Sequence, residues 1–235
     1  MAAFLLRGLP TLALSALLAM PLPAQRREIS ILGAANYTSA TGPLLTEVEG
    51  HPGFAAGIGV RIPRSSRVAF ESDFLVVHRR LTGRRAESTA PPTFAGPQAD
   101  FARITYLEIP MLFRFQRPYS SNYPVRPFLV LGPSIAIRIG CSREIITAGG
   151  AVQDEGCPGT RSGTSTDPFV PALYQDVDLA LQFGGGVEFR RIGIFARGMR
   201  SIRNLVDTGA LPSSPFDGSK AWSVTAGLDY MLRVF

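Results

Sequence analysis

From Val177 to Phe183 every second residue is large and apolar. Val187 and Phe189 resume the pattern, and between them stand Asp178, Gln182, a run of glycines and Glu188. A period of two belongs to an extended strand whose two faces meet different surroundings. The same period recurs over 29–37, 54–62, 67–79, 101–115, 127–139 and 222–235, and more weakly over 192–202. Beyond residue 24 no segment sustains a capped 3.6-residue period. These segments predict an all-β chain of eight strands. Pro110 and Pro133 are awkward inside a ladder, because proline has no N–H to donate, and they mark bulges.

The connections narrow the fold further. They are long at 38–53, short at 63–66, long at 80–100, shorter at 116–126, long at 140–176, two residues at Arg190-Arg191, and long again at 203–219. Alternation of short turns with long loops is the property of an antiparallel meander that crosses a bilayer repeatedly. An even strand number lets the last strand close on the first, with both termini at the short-turn end. The expected fold is therefore an eight-stranded antiparallel up-and-down transmembrane β-barrel.

A soluble barrel of the same topology would turn its apolar face inward, so the polar face decides between them. That face carries Arg61, Arg114, Arg138, Arg197 and Arg233 with Glu71, Asp73, Glu108, Asp176, Asp178, Glu188 and Asp229. Between them stand Gly57, Gly59, Gly132, Gly184, Gly186 and Gly227. Glycines have no purpose on the outside of a soluble barrel. Inside a closed eight-stranded one, whose interior is just wide enough for side chains, they leave room for guanidiniums. The twelve charged residues are expected to form an interior network, each needing a partner because an unpaired buried charge is strongly destabilising. The opposite face is rich in Leu, Ile, Val and Phe. Phe70, Phe115, Phe189 and Tyr230 near the turn end, and Phe54, Phe101 and Trp222 near the loop end, suit two aromatic girdles.

Residues 1–24 combine an early Arg7, an apolar stretch and the small residue Ala24, the pattern of a secretory signal peptide. A membrane anchor is the alternative reading. Residues 25–235 are then the exported outer-membrane β-barrel domain. In that setting the two cysteines, Cys141 and Cys157, are expected to form a disulfide within the third long loop, with two free thiols as the alternative. The net charge of +6 rests on arginine, Lys220 being the only lysine. The arginines are scattered, with no basic helix or stripe, so nucleic acid is not an expected partner.

YLEIPMLFRF (106–115), PFLVLGPSIAI (127–137), LALQFGGGVEF (179–189) and ARGMRSIRNL (196–205) resemble, in that order, the blocks of the PorT-like outer-membrane β-barrel family, often labelled porin family proteins. The resemblance is most specific at Leu107-Glu108-Ile109-Pro110. It implies an eight-stranded barrel in the outer membrane of a Gram-negative-type bacterium, with both termini periplasmic. Phe235 looks like the terminal aromatic read by barrel-insertion machinery, although the apolar residues before it are in the opposite phase. One member of the family is associated with secretion at the cell surface, and most have no established activity.

Chemistry is sparse. His51 and His78 lie apart, and no HExxH, CxxC or His-rich cluster points to a metal. No dinucleotide, phosphate-loop or nucleophile-elbow motif occurs, so no cofactor is expected. The carboxylate pairs Glu71/Asp73 and Asp176/Asp178 each share a face, but pairing with interior arginines explains them better than acid–base catalysis. His78 and Asp73 would be the participants in any reaction, though none is expected. Three functional readings remain, the first two being a structural or surface-interaction barrel acting through its loops (38–53, 80–100, 140–173 and 203–219) on an extracellular ligand or protein, and a narrow small-solute channel. A soluble ligand-binding barrel is a third.

Overall fold

The computed structural model describes residues 27–42, 45–85, 99–118, 124–146, 152–156, 173–174, 176–207 and 219–233. The expected signal peptide and Cys157 lie outside the described residues. Eleven strands follow in chain order: β1 (Glu28–Thr41), β2 (Leu45–Pro63), β3 (Val68–Arg85), β4 (Ala99–Gln116), β5 (Val125–Ile146), β6 (Val152–Gly156), β7 (Leu173–Tyr174), β8 (Val177–Phe189), β9 (Ile192–Ser201), β10 (Val206–Asp207) and β11 (Lys220–Arg233). No helix occurs among the described residues.

The long strands β1, β2, β3, β4, β5, β8, β9 and β11 pair antiparallel in chain order. β11 then pairs back onto β1 from Glu28↔Arg233 to Thr41↔Lys220. The sheet is thus the closed eight-stranded up-and-down barrel that the pattern predicts, and closure leaves its backbone without a free edge in hydrocarbon. Both ends of the barrel strands meet at the short-turn rim. Of the three short strands, β6 extends the upper end of β5, from Ser142↔Gly156 to Ile146↔Val152. β7 and β10 pair with each other, joining the segment before β8 to the one after β9.

Strands overrun the expected loops. Parts of 38–53, 80–100 and 140–173 continue as sheet, and β5 reaches 22 residues against 13 in β8 and 10 in β9. Apolar alternation ends where the hydrocarbon ends, but backbone pairing continues into water with polar side chains. The period in the sequence therefore marks the membrane crossing, not the strand. As a result the wall made by β2 to β5 stands taller than the wall opposite.

The prolines sit where ladders skip. Pairing of β3 with β4 breaks between Ser72↔Met111 and Leu75↔Glu108, which spares Pro110. Pairing of β4 with β5 breaks between Pro110↔Ser134 and Phe113↔Leu131, which spares Pro133. Pro52 falls in the register shift between Gly50 and Phe54. Each proline keeps one neighbour and forgoes the other, as its missing N–H requires.

Which face is wet is decided by burial. Leu129 is 66% exposed, Phe183 60% and Leu181 51%, whereas Arg114 and Glu188 are each 1% exposed. Leucines and phenylalanines encircle the barrel and the charges lie inside it. A contiguous apolar ring of this extent has no place on a soluble monomer. Along β8 the outward residues run from Phe189 to Val177. At roughly 3.3 Å per residue and about 40° of tilt they span about 30 Å, the thickness of a bilayer's hydrocarbon core.

Candidate functional site: the barrel interior

Inward residues along each strand appear in tiers. On β3 the order from the turn end is Glu71, Asp73, then Leu75, Val77, then Arg79, then Leu81; on β4 it is Arg114, Leu112, Pro110, Glu108, Tyr106. Repeated round the barrel, this order builds two ionic layers with an apolar layer between them.

In the turn-end layer two carboxylates act as hubs. Glu188 Oε2 accepts from Arg61 Nη1 at 2.8 Å and Arg114 Nη2 at 2.7 Å, while its Oε1 accepts from Arg126. Glu71 accepts from Arg61 Nε at 3.3 Å, Arg114 Nη1 at 3.1 Å and Arg197 Nη2 at 2.5 Å. Arg197 Nη1 also donates to Asp73 Oδ2 at 2.5 Å, and Arg61 reaches Glu28 at 3.2 Å and Asp229 at 3.5 Å. Two guanidiniums stack as well as pair, Arg114 at 3.4 Å from the Phe128 ring centroid and Arg197 at 4.6 Å from Phe195. Shared carboxylates let one desolvated charge satisfy several others, as burial demands.

The loop-end layer is smaller. Arg79 donates to Glu108 and lies 3.5 Å from Asp178, with Tyr106 at 4.8 Å from its guanidinium. Gln182 donates to Glu108, and Ser201 Oγ donates to Asp178 Oδ2 at 2.7 Å. Arg138 pairs with Asp176 at the rim, where Asp176 is half exposed. No described ion pair joins the two layers.

Between them pack Leu32, Ala55, Leu75, Val77, Leu112, Phe128, Val130 and Phe195. Above the second layer a further apolar cluster, including Leu81, Ile104, Ala136 and Leu205, packs toward the loop end. An interior polar throughout is the expectation this corrects. A barrel of this width has more lumen than its charges fill, and apolar side chains occupy the remainder without needing partners. A cavity of about 20 Å³ beside Glu108, Gln182, Arg197 and Met199 has room for about one water molecule.

The glycines also act differently from the expectation. Among the described glycines only Gly59 and Gly193 make room for a carboxylate: a Cβ on Gly59 would lie 2.5 Å from Asp73 Oδ1, and one on Gly193 would collide with the Asp229 carboxylate. At Gly57, Gly132, Gly184, Gly186 and Gly227 the obstruction is the backbone of the neighbouring strand. These five permit the tight wall of a narrow barrel.

Of the residues named from sequence, Arg61, Glu71, Asp73, Arg114, Glu188, Arg197 and Asp229 meet in the turn-end layer, and Glu108 and Asp178 in the other. Arg138 and Asp176 meet at the mouth. Arg233 ends β11 opposite Glu28, and its side chain lies outside the described residues. Arg79, Arg126 and Glu28 were missed, and Gln182, placed on the polar face of its strand, was not assigned to the network. Arg79 shares the parity of Glu71 and Asp73, but Leu75 and Val77 interrupt the polar run, and Arg80 beside it suggests a surface pair. His78 and Asp73 are on opposite faces of β3. His78 contacts Thr105 and stacks on Phe54 outside, while Asp73 is buried inside, so the two cannot act on one substrate. Among the described residues no group of His, Cys, Asp and Glu is arranged to hold a metal.

Residues 23–207 match the family described as outer membrane protein beta-barrel domain. Among solved structures, OprG of Pseudomonas aeruginosa is similar at 12% identity and TM-score 0.46, covering 89% of this chain and 97% of that one. Neisserial surface protein A is similar at 13% identity and TM-score 0.41, covering 86% and 96%. The attachment invasion locus protein of Yersinia pestis is similar at 12% and 0.40, covering 88% and 99%. At these identities and scores the likenesses carry nothing about ligand or activity. No curated protein matches the chain.

Proposed function

The chain belongs to the outer membrane protein beta-barrel domain family, and on that premise we propose that it is a sealed barrel anchored in the outer membrane to hold its loops outside the cell. In this reading both termini are periplasmic, residues 1–24 are the export leader, and Phe235 serves the barrel-insertion machinery. The PorT-like assignment rests on residues 107–110 and their neighbours. The loops 38–53, 80–100, 140–173 and 203–219 meet an extracellular ligand or protein. A Cys141–Cys157 bridge would brace the third; Cys141, in the loop-end part of β5, is not a free thiol, which agrees with that.

The observation that supports a scaffold over a conduit is the tiered lumen. A solute entering from the loop end meets an apolar cluster, an ion-paired layer, a second apolar layer and a denser ionic layer. Each barrier is built from side chains bonded or packed across the barrel. Reconstituted in planar bilayers, the full chain is expected to give no discrete conductance steps. Reproducible openings would replace the scaffold reading with the narrow small-solute channel.

A further inference from the structure

The three short turns are Arg64-Ser65-Ser66-Arg67, residues 117–124 (Arg-Pro-Tyr-Ser-Ser-Asn-Tyr-Pro) and Arg190-Arg191. Every ionisable side chain in them apart from the two tyrosines is an arginine, and none is a carboxylate. Arg64, Arg67, Arg117, Arg190 and Arg191 are all exposed, and so is Arg27 just before β1. Glu28, which follows Arg27, is held by Arg61 at 3.2 Å. No described ion pair engages Arg64, Arg67, Arg190 or Arg191. The opposite rim is mixed in sign, with Glu49, Glu144 and Asp176 among Arg80, Arg103, Arg200 and Lys220, and Arg103 lies 3.5 Å from Glu144.

The height of these arginines identifies what they meet. Arg190 follows the outward Phe189, Arg191 precedes Ile192, Arg67 precedes Val68, and Arg117 stands two residues from Phe115. Their guanidiniums therefore sit where acyl chains give way to headgroups, and the aliphatic stems can lie along the apolar belt. Arg190 holds this place at φ 56°, a backbone conformation glycine adopts freely and arginine does not. A planar guanidinium matches phosphate oxygens in a bidentate fork. We infer that the turn end is an anionic-phospholipid collar, a ring of arginines that binds the phosphate groups of net-negative lipids in the leaflet it faces. The collar is independent of whatever the loops bind.

The test uses the full-length barrel reconstituted in vesicles of phosphatidylcholine and phosphatidylglycerol in equal parts, with co-released lipid counted by native mass spectrometry. The expected result is retention of phosphatidylglycerol over phosphatidylcholine on the order of tenfold, as several surface arginines together would give. The variant R64Q/R67Q/R190Q/R191Q should approach parity, R64K/R67K/R190K/R191K should keep most of the preference, and R80Q/R103Q/R200Q at the other rim should keep it too. Excess inorganic phosphate should not abolish retention. Equal retention by the parent and the glutamine variant, both shown folded by a heat-dependent shift in gel mobility, would overturn the collar. So would loss confined to the other-rim variant, complete displacement by phosphate, or binding to peptidoglycan sacculi without lipid preference. Should the glutamine variant not fold, ionic strength reads the same property on the unmodified barrel: preference falling with salt is expected, and preference indifferent to salt refutes it.

Discussion

Glu188 shows what a single side chain does in a lumen of this kind. Its two oxygens receive three arginines, from β2, β4 and the start of β5. Replacing it with alanine leaves Arg114 with Glu71 and Arg61 with its three other carboxylates, but removes the one described partner of Arg126. That leaves a mostly buried guanidinium without its counter-charge. The expected loss is about 3–5 kcal/mol, as for breaking a buried pair from one side, read from urea unfolding of the micelle-folded barrel. Removing Arg114 instead, as Arg114→Met, should cost less, because both of its carboxylates keep other guanidiniums. If the two losses are equal, shared pairing is not what stabilises this layer.

Within single strands, the part of the fold legible in the sequence was the part where alternation is pure. On β8 the outward set Val177, Leu179, Leu181, Phe183, Val187 and Phe189 could be read directly, and every member is exposed. On β9 the period was obscured, because Phe195 and Met199 are apolar and yet point inward beside Arg197. Arg79 was hidden for the same reason on β3. A lumen with apolar tiers breaks the equation of polar with inside, and tiers arise from contacts among strands that one strand's pattern does not contain. The clean period of β8 yields a prediction: Phe183→Arg, which puts a charge on the lipid face near mid-belt, should destabilise by about 2–4 kcal/mol. Arginine at the neighbouring rim position Ile202 should cost far less, and similar losses at the two sites in lipid-reconstituted unfolding would contradict the assigned belt.

At the scale of the molecule, strand number, meander order, closure and the orientation of the two faces all followed from period and connection lengths. Strand ends did not, since pairing above the membrane leaves no apolar period. The tiering of the lumen is a property of the assembly. The middle layer draws on Phe128 from β5 and Phe195 from β9 as well as on Leu75 from β3. The combined variant Leu75→Ser, Phe128→Ser and Phe195→Ser should hydrate that layer and give measurable ion conductance while the unmodified chain stays silent. A folded but silent triple variant would show that the ionic layers suffice as the seal.

The turn-end layer also constrains the order in which the chain can be assembled. Arg61 on β2 is neutralised in part by Glu188 on β8, and Glu71 on β3 by Arg197 on β9, partners separated by 127 and 126 positions along the chain. An early hairpin released alone into acyl chains would take Arg61, Glu71 and Asp73 with it before their later counterparts had arrived. Insertion one hairpin at a time is therefore disfavoured, and the first and last strands must come together in a sheltered or still-hydrated state before the cylinder enters the bilayer.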